Sequence, residues 1–115
     1  MPSRTESDNL VIQDGSTNVY ADLGYADAEA MLIKAGLANS MAAIIKRRRW
    51  TQQKAAGVMG ITQPKLSGIL NGRFRGVSEA KLIECLAALG SDVEITIHGP
   101  HRPPRRGRIT VSMVV

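Results

Sequence analysis

Residues 51–73 read TQQKAAGVMGITQPKLSGILNGR, and this stretch decides the fold. Thr51 and Thr62 each stand where a side-chain oxygen caps the first turn of a helix. Gly60 lies between them and suits a tight turn with a positive φ. Asn71-Gly72 is a typical C-terminal stop. The spacing therefore predicts two short helices that meet across a tight turn.

The side chains of this stretch separate into an inward and an outward set. Ala55 and Ala56 are small where the two helices approach each other, and the residues expected to anchor the second helix are Ile61, Leu66, Ile69 and Leu70. The residues expected to face outward are Thr62, Gln63, Pro64, Lys65, Ser67 and Gly68. A helix in the major groove presents its N-terminal residues to base edges, where amides and cations pair with adenine and guanine. The pattern predicts a DNA-reading helix-turn-helix.

Further helices are predicted on both sides of this stretch. Asp27 is a plausible N-cap of a long helix that ends near Arg48, and Gly36 is a point where that helix can loosen or split. Its predicted apolar stripe consists of Met31, Leu32, Ala35, Ala38, Met41, Ala42 and Ile45. Ser78 opens another helix, which stops at Gly90.

Beyond Gly90 the apolar residues alternate with polar ones. The two alternating sets are Val93, Ile95 and Ile97, and then Ile109, Val111 and Met113. The sequence predicts a hairpin with a long basic loop, and because an isolated hairpin is marginal we expect it to pair with a second copy or pack on the helices. The loop arginines 102, 105, 106 and 108 have two interpretations, contact with DNA or exposure to solvent.

Charge divides the chain into unlike parts, although its net charge is only +5. Residues 46–75 contain eight lysines and arginines and no acid, whereas residues 1–30 contain six acids and one arginine. A strong local positive field attracts the phosphates of nucleic acid. We predict a flexible acidic arm over 1–24, a helical DNA-binding domain over 25–90, and the hairpin over 91–115.

Other residues give little support to an enzyme, a metal site or a membrane protein. Cys85 is the single cysteine and lies among apolar residues, which favours a small buried hydrophobe. His98 and His101 have no metal-ligand spacing, and Trp50 is expected to cover the core. No apolar run approaches the roughly 18 residues of a membrane span, and the N-terminus has no signal-peptide pattern. We expect a cytoplasmic, non-enzymatic protein without cofactors.

These motifs resemble the Cro/repressor-like (XRE) helix-turn-helix family. The matching segments are Thr51-Gln52, Ala55 to Ile61, Thr62 to Ser67 and Leu70 to Arg73. The resemblance implies a mainly α, lambda-repressor-like bundle of about five helices with a C-terminal β-strand or hairpin. Flanking motifs, Asn18 to Gly24, Asp27 to Glu29 and Asp92 to Ile95, resemble HigA-type antitoxins, which are paired with RelE/HigB-type toxins.

The resemblance also implies functional residues at matching positions. Those facing bases are Gln63, Pro64, Lys65 and Gly68. Those contacting phosphates are Gln52, Thr62, Ser67, Asn71, Arg73 and Arg75. Because Pro64 and Gly68 lack side-chain hydrogen-bonding groups, base readout depends on Gln63 and Lys65. Val19, Tyr20 and Leu23 of the acidic arm are the residues expected to bind a basic toxin, unless the arm is a plain tail.

The sequence thus predicts a homodimeric, sequence-specific regulator that represses at its own double-stranded DNA operator and is the antitoxin of a RelE/HigB-type toxin-antitoxin pair. Two alternatives stay open. One is a stand-alone regulator like a phage repressor, and the other is a transcriptional adaptor that uses the same fold to bind protein.

Overall fold

A computed structural model describes residues 25–114, in which four helices form. They are α1 (Tyr25–Arg48), α2 (Gln52–Met59), α3 (Gln63–Leu70) and α4 (Glu79–Ala88). The predicted acidic arm, with Val19, Tyr20 and Leu23, lies outside the described residues. The fold is mainly α, and a fifth helix is not found between residues 25 and 114.

Each of the three shorter helices begins at a hydroxyl cap, as predicted. The side-chain oxygens of Thr51, Thr62 and Ser78 accept hydrogen bonds from the backbone N–H three residues later, at 3.0, 3.3 and 3.1 Å. Each bond satisfies a donor that has no partner inside the helix. The start points of α2, α3 and α4 are therefore set by local sequence.

The four helices also share one kind of C-terminal ending. In α2 the N–H of Gly60 bonds to the third carbonyl back, and the next N–H bonds to the fifth carbonyl back, which is the Schellman arrangement. Gly60 has a φ of 76°, and glycines at 72 and 90 take the same place after α3 and α4. After α1 this place belongs to Arg49, with a φ of 58°. A side chain in this left-handed region costs about 1–2 kcal/mol.

The core is built around α1, which packs against α3 and α4. Met41, Leu66 and Leu82 are fully buried where these helices meet. Most of the predicted stripe on α1 is buried, but Ala42 is exposed and that prediction is wrong. Leu37 and Ile44 are buried instead. Because α1 contacts more than one helix, its buried face is wider than a single stripe.

Helix α1 is continuous through Gly36, where the sequence allowed a break. The C-terminal tail crosses α1 at this residue, and a Cβ atom added to Gly36 would lie 2.8 Å from Cβ of Val111. Helix α1 is also long and apolar enough to cross a membrane by length and composition alone. Its buried residues belong to the core shared with α3 and α4, which accounts for that composition.

The predicted C-terminal hairpin is not confirmed, because the described residues 91–114 contain no β-strand. The two halves of the tail do not form a ladder with each other. The second half packs on α1 instead, with Val111 against Gly36 and Arg106 donating to both carboxylate oxygens of Glu29 at 2.9 and 3.0 Å. Contacts with a helix have replaced contacts between strands.

Two helical glycines give a matched test of this tail contact. We expect Gly57→Ala to raise the free energy of unfolding by about 0.5–1 kcal/mol, because alanine is the better helix former and nothing lies within 4 Å of the added atom. Gly36→Ala should instead lower it by about 1 kcal/mol through overpacking against Val111. Urea unfolding measures both.

The same substitution in a Val111→Gly background provides the control. There Gly36→Ala should become stabilising, since the obstructing side chain is gone. Equal stabilisation by Gly36→Ala and Gly57→Ala in the natural background would contradict the packing of the tail on α1.

Candidate nucleic-acid interface

The first turn of α3 is an exposed polar part of the helix pair. Thr62, Gln63, Pro64 and Lys65 are all exposed, as predicted, while Leu66 directly after them is fully buried. Pro64 lies in the first turn, where its missing N–H removes no helical bond. The burial of Leu66 anchors the turn from beneath and leaves its polar groups accessible.

Gln63 is held by the preceding helix. Its Nε2 donates to Oε1 of Gln52 across 3.1 Å, so the first residues of α2 and α3 are joined at the surface. Because the bond uses one N–H of the Gln63 amide, the carbonyl oxygen and the second N–H remain for another partner. The sequence predicted Gln52 to contact phosphate and did not predict this bond.

Gly68 differs from its predicted outward position. It is buried, and the Arg73 side chain covers it, with Nε 3.7 Å and Cβ 3.8 Å from a Cβ atom added there. The cover forms because the loop after α3 folds back, with the Arg73 N–H donating to the Gly68 carbonyl at 2.8 Å. A Cβ atom at residue 68 would make ordinary van der Waals contact with this loop.

The loop after α3 is tied down at several points. Asn71 Nδ2 donates to the Ser67 carbonyl at 2.8 Å, and Phe74 is buried in the core. Lys34 is only 9% exposed, and its Nζ donates to the Arg75 carbonyl at 2.8 Å. A lysine within the buried stripe of α1 is the signal that could have revealed this anchor.

Arg75 also faces a carboxylate. Its Nη1 lies 4.0 Å from Oδ2 of Asp27, with both side chains more than half exposed. Exposed ion pairs of this kind contribute little to stability. The pair nevertheless places an acidic group next to one of the predicted phosphate contacts, and that proximity was not visible in the sequence.

Trp50 organises the basic end of α1. It is half-buried and packs on the core, as predicted, and its ring lies 5.0 Å from Cζ of Arg48 and 5.0 Å from Nζ of Lys54. Cations at this distance are attracted to the negative face of an indole. Trp50 therefore positions two cations near the start of α2.

The basic stretch 46–75 forms an exposed positive surface. All eight of its lysines and arginines are exposed, and among the described residues the carboxylate of Asp27 is the one within 4.0 Å of any of them. With so little neutralisation nearby, a strong attraction for polyanions is expected. The exposed turn of α3 lies within this basic stretch.

Cys85 is confirmed as a buried core residue, with 1% of its surface exposed. Burial raises the pKa of its thiol, so the neutral form is favoured at neutral pH. The side chain therefore belongs to the packing of α4.

Comparisons with known proteins agree with this architecture. Residues 19–98 match the profile of a family described as "Helix-turn-helix domain". A solved structure described as "Putative XRE Family Transcriptional Regulator" is 40% identical to this chain, with a TM-score of 0.71. That match covers 76% of this chain and 99% of the other. No curated protein matches.

Two capped helices joined at Gly60, with an exposed polar turn on the second, define a helix-turn-helix DNA-binding protein. The profile match and the 40% sequence identity to a regulator of known structure identify a family within this class. The chain belongs to the XRE family of transcriptional regulators.

The bond between Gln52 and Gln63 leads to a prediction. If Gln63 faces bases, Gln52→Ala should reduce discrimination at the base pair nearest Gln63 by about fivefold, because one net hydrogen bond contributes about 1 kcal/mol. Binding to an operator and to its single-base variants measures the effect. Gln53→Ala is the matched control, since Gln53 is the exposed neighbour on the same helix. Equal effects of the two substitutions would contradict a positioning role for Gln52.

Proposed function

We propose that this protein is a sequence-specific repressor that inserts the first turn of α3 into the major groove of its own operator. The observation that carries the proposal is the exposed Gln63 and Lys65 pair, anchored by buried Leu66 and set in a basic surface. Amide and ammonium groups at the start of a helix are suited to adenine and guanine edges.

Direct base readout rests on few side chains. Gln63 presents an amide whose orientation Gln52 restricts, and Lys65 presents a cation. Pro64 and Gly68 lie at base-facing positions of the family but offer shape rather than hydrogen bonds. The covering of Gly68 by Arg73 favours a role for this glycine in close packing of the loop. Sequence-dependent DNA shape therefore supplements direct readout.

Phosphate contacts are proposed along the rest of the basic surface. The residues assigned to them are Gln52, Thr62, Ser67, Asn71, Arg73 and Arg75. Arg48 and Lys54 join this set because Trp50 holds both of them on the same basic end. Such contacts position the protein on the duplex without reading sequence.

The protein is proposed to bind its operator as a homodimer and to act in the cytoplasm. Two recognition helices about 34 Å apart would meet successive major grooves of a pseudo-palindrome. Dimerisation also compensates for the small number of base contacts, because half-site spacing adds specificity.

Two substitutions separate base readout from phosphate contact. Lys65→Ala should relax discrimination at one base pair by about 1–3 kcal/mol. Arg73→Ala should weaken binding to all sequences alike and reduce the slope of log affinity against log salt by about 1. Fluorescence anisotropy at several salt concentrations measures both effects.

The comparison with random DNA decides the proposal itself. Equal affinity for promoter and random DNA at physiological salt would contradict sequence-specific repression. Weak binding to both, with little loss as salt rises, would favour the protein-binding adaptor.

We further propose that this repressor is the antitoxin of a RelE/HigB-type pair. Support comes from the acidic balance of residues 1–30 and from the flanking motifs that resemble HigA-type antitoxins. An acidic segment bearing Val19, Tyr20 and Leu23 is complementary in charge to a basic RNA-cleaving toxin and would bind it. A stand-alone regulator would need no such partner.

Deleting residues 1–24 tests this second proposal. The shortened chain should keep its operator affinity, because the helix-turn-helix is intact, and should fail to neutralise a basic toxin encoded by the neighbouring gene. Co-expression growth assays measure neutralisation of the toxin. The full chain with Val19→Asp and Leu23→Asp is the control, because it keeps the length of the arm and replaces two of its apolar side chains. Full neutralisation by the shortened chain would rule out a role for residues 1–24 in neutralising the toxin.

A further inference from the structure

A short segment with exposed apolar side chains follows α4. Residues 92–98 read DVEITIH, and the side chains of Val93, Ile95 and Ile97 are 38%, 76% and 89% exposed. All three lie on one face if the segment is extended, because side chains alternate along a strand. Contiguous exposed apolar residues of this kind mark interaction surfaces.

The backbone of this segment is available for pairing. Among residues 25–114, none of the backbone groups of 92–98 takes part in a backbone hydrogen bond. The segment is rich in Val, Ile and Thr, which favour strands. An exposed segment with unpaired N–H and C=O groups and an apolar face is a template for another strand.

The segment is also held in place at both sides. The Ser91 N–H donates to the Leu86 carbonyl at 3.2 Å, which fixes its exit from α4. The returning half of the tail is attached to α1 through Arg106 and Glu29 and through Val111 at Gly36. The returning half of the tail is thus attached to α1, while the apolar side chains of 92–98 stay exposed.

We infer that residues 92–98 form an antiparallel two-stranded ladder with the same segment of a second copy, centred on Ile95. This inference rests on the proposed homodimeric repressor and names its interface. The two-fold axis places the two Ile95 side chains opposite each other. The remaining opposed pairs join apolar to apolar and acidic to neutral or basic, namely Val93 with Ile97, Glu94 with Thr96, and Asp92 with His98.

Alternative registers are less favourable because like charges directly opposite each other destabilise a ladder. A parallel in-register pairing would oppose Asp92 to Asp92 and Glu94 to Glu94. An antiparallel pairing centred on Glu94 would oppose the two glutamates. Centring on Thr96 would place Val93 against Gly99 and lose an apolar pair. The register centred on Ile95 keeps all three apolar residues paired.

A ladder of two strands is marginal by itself, so the interface needs additional apolar area. Ile109 and Val114 in the returning half of the tail are 57% and 93% exposed and supply it. Because residue 91 is tied to the end of α4, a ladder at 92–98 would couple the two helical domains. It would thereby set the separation of the two α3 helices.

Disulfide trapping tests the register. Ile95→Cys in the full chain should cross-link to a dimer under mild oxidation, because opposed residues on an antiparallel ladder have Cβ atoms about 4.5–5.5 Å apart. Glu94→Cys is the matched control and should cross-link much less, since its opposite residue is Thr96. The natural Cys85 is buried and gives the background. Equal trapping at 94 and 95, or trapping at neither, would overturn the register.

Introducing a charged side chain tests the interface without cross-linking. Ile95→Asp should weaken dimerisation by about tenfold or more, since two carboxylates would face each other, and Thr110→Asp in the exposed returning half should not. Sedimentation equilibrium measures both. Dimerisation of the Ile95→Asp chain would refute the ladder. If that chain also keeps its operator binding, the proposed repressor stands without the ladder. Loss of operator preference with trapping intact would refute the repressor and leave the ladder standing.

Discussion

The structure depends on the burial of Leu66 and Ile69 in α3, which packs against α1 and α2. Helices α2 and α3 have eight residues each, and isolated helices of that length are unstable in water. Tertiary packing must therefore stabilise them. Leu66 and Ile69 are almost completely inaccessible, and burying each contributes about 1.5–3 kcal/mol. This packing fixes α3 in rotation, so the exposed face of α3 is determined by the residues buried on the opposite one.

The same constraint explains how a small domain presents a precise polar surface. Gln63 and Lys65 precede buried Leu66 in the first turn of α3 and cannot rotate inward without exposing it. Gln52 adds a lateral support, and Lys34 and Phe74 hold the loop that follows. Arg49 keeps a positive charge at a place where glycine would be less strained.

The features predicted correctly from the sequence are those governed by local rules. Hydroxyl caps at Thr51 and Thr62 and the positive φ of Gly60 follow from the bonding needs of helix ends, which a few neighbouring residues satisfy. The bond between Gln52 and Gln63, the cover over Gly68 and the anchor at Lys34 depend on loops and helices meeting in three dimensions. Spacing along the sequence does not specify the partners in such contacts, although the place of Lys34 in the buried stripe of α1 signals that an anchor exists. The predicted hairpin was not confirmed for the same reason, because the tail has α1 as a competing partner.

The tail connects this fold to its proposed action. A domain that reads few bases gains specificity when two copies are held at a fixed separation, because a wrong spacing costs contacts in one half-site. Flexible linkage would allow many separations and weaken that selection. Attachment of the tail at Ser91 and again along α1 reduces such freedom. The exposed face of 92–98 then lies between two points of attachment to the helical domain, and these constrain where a second copy can join.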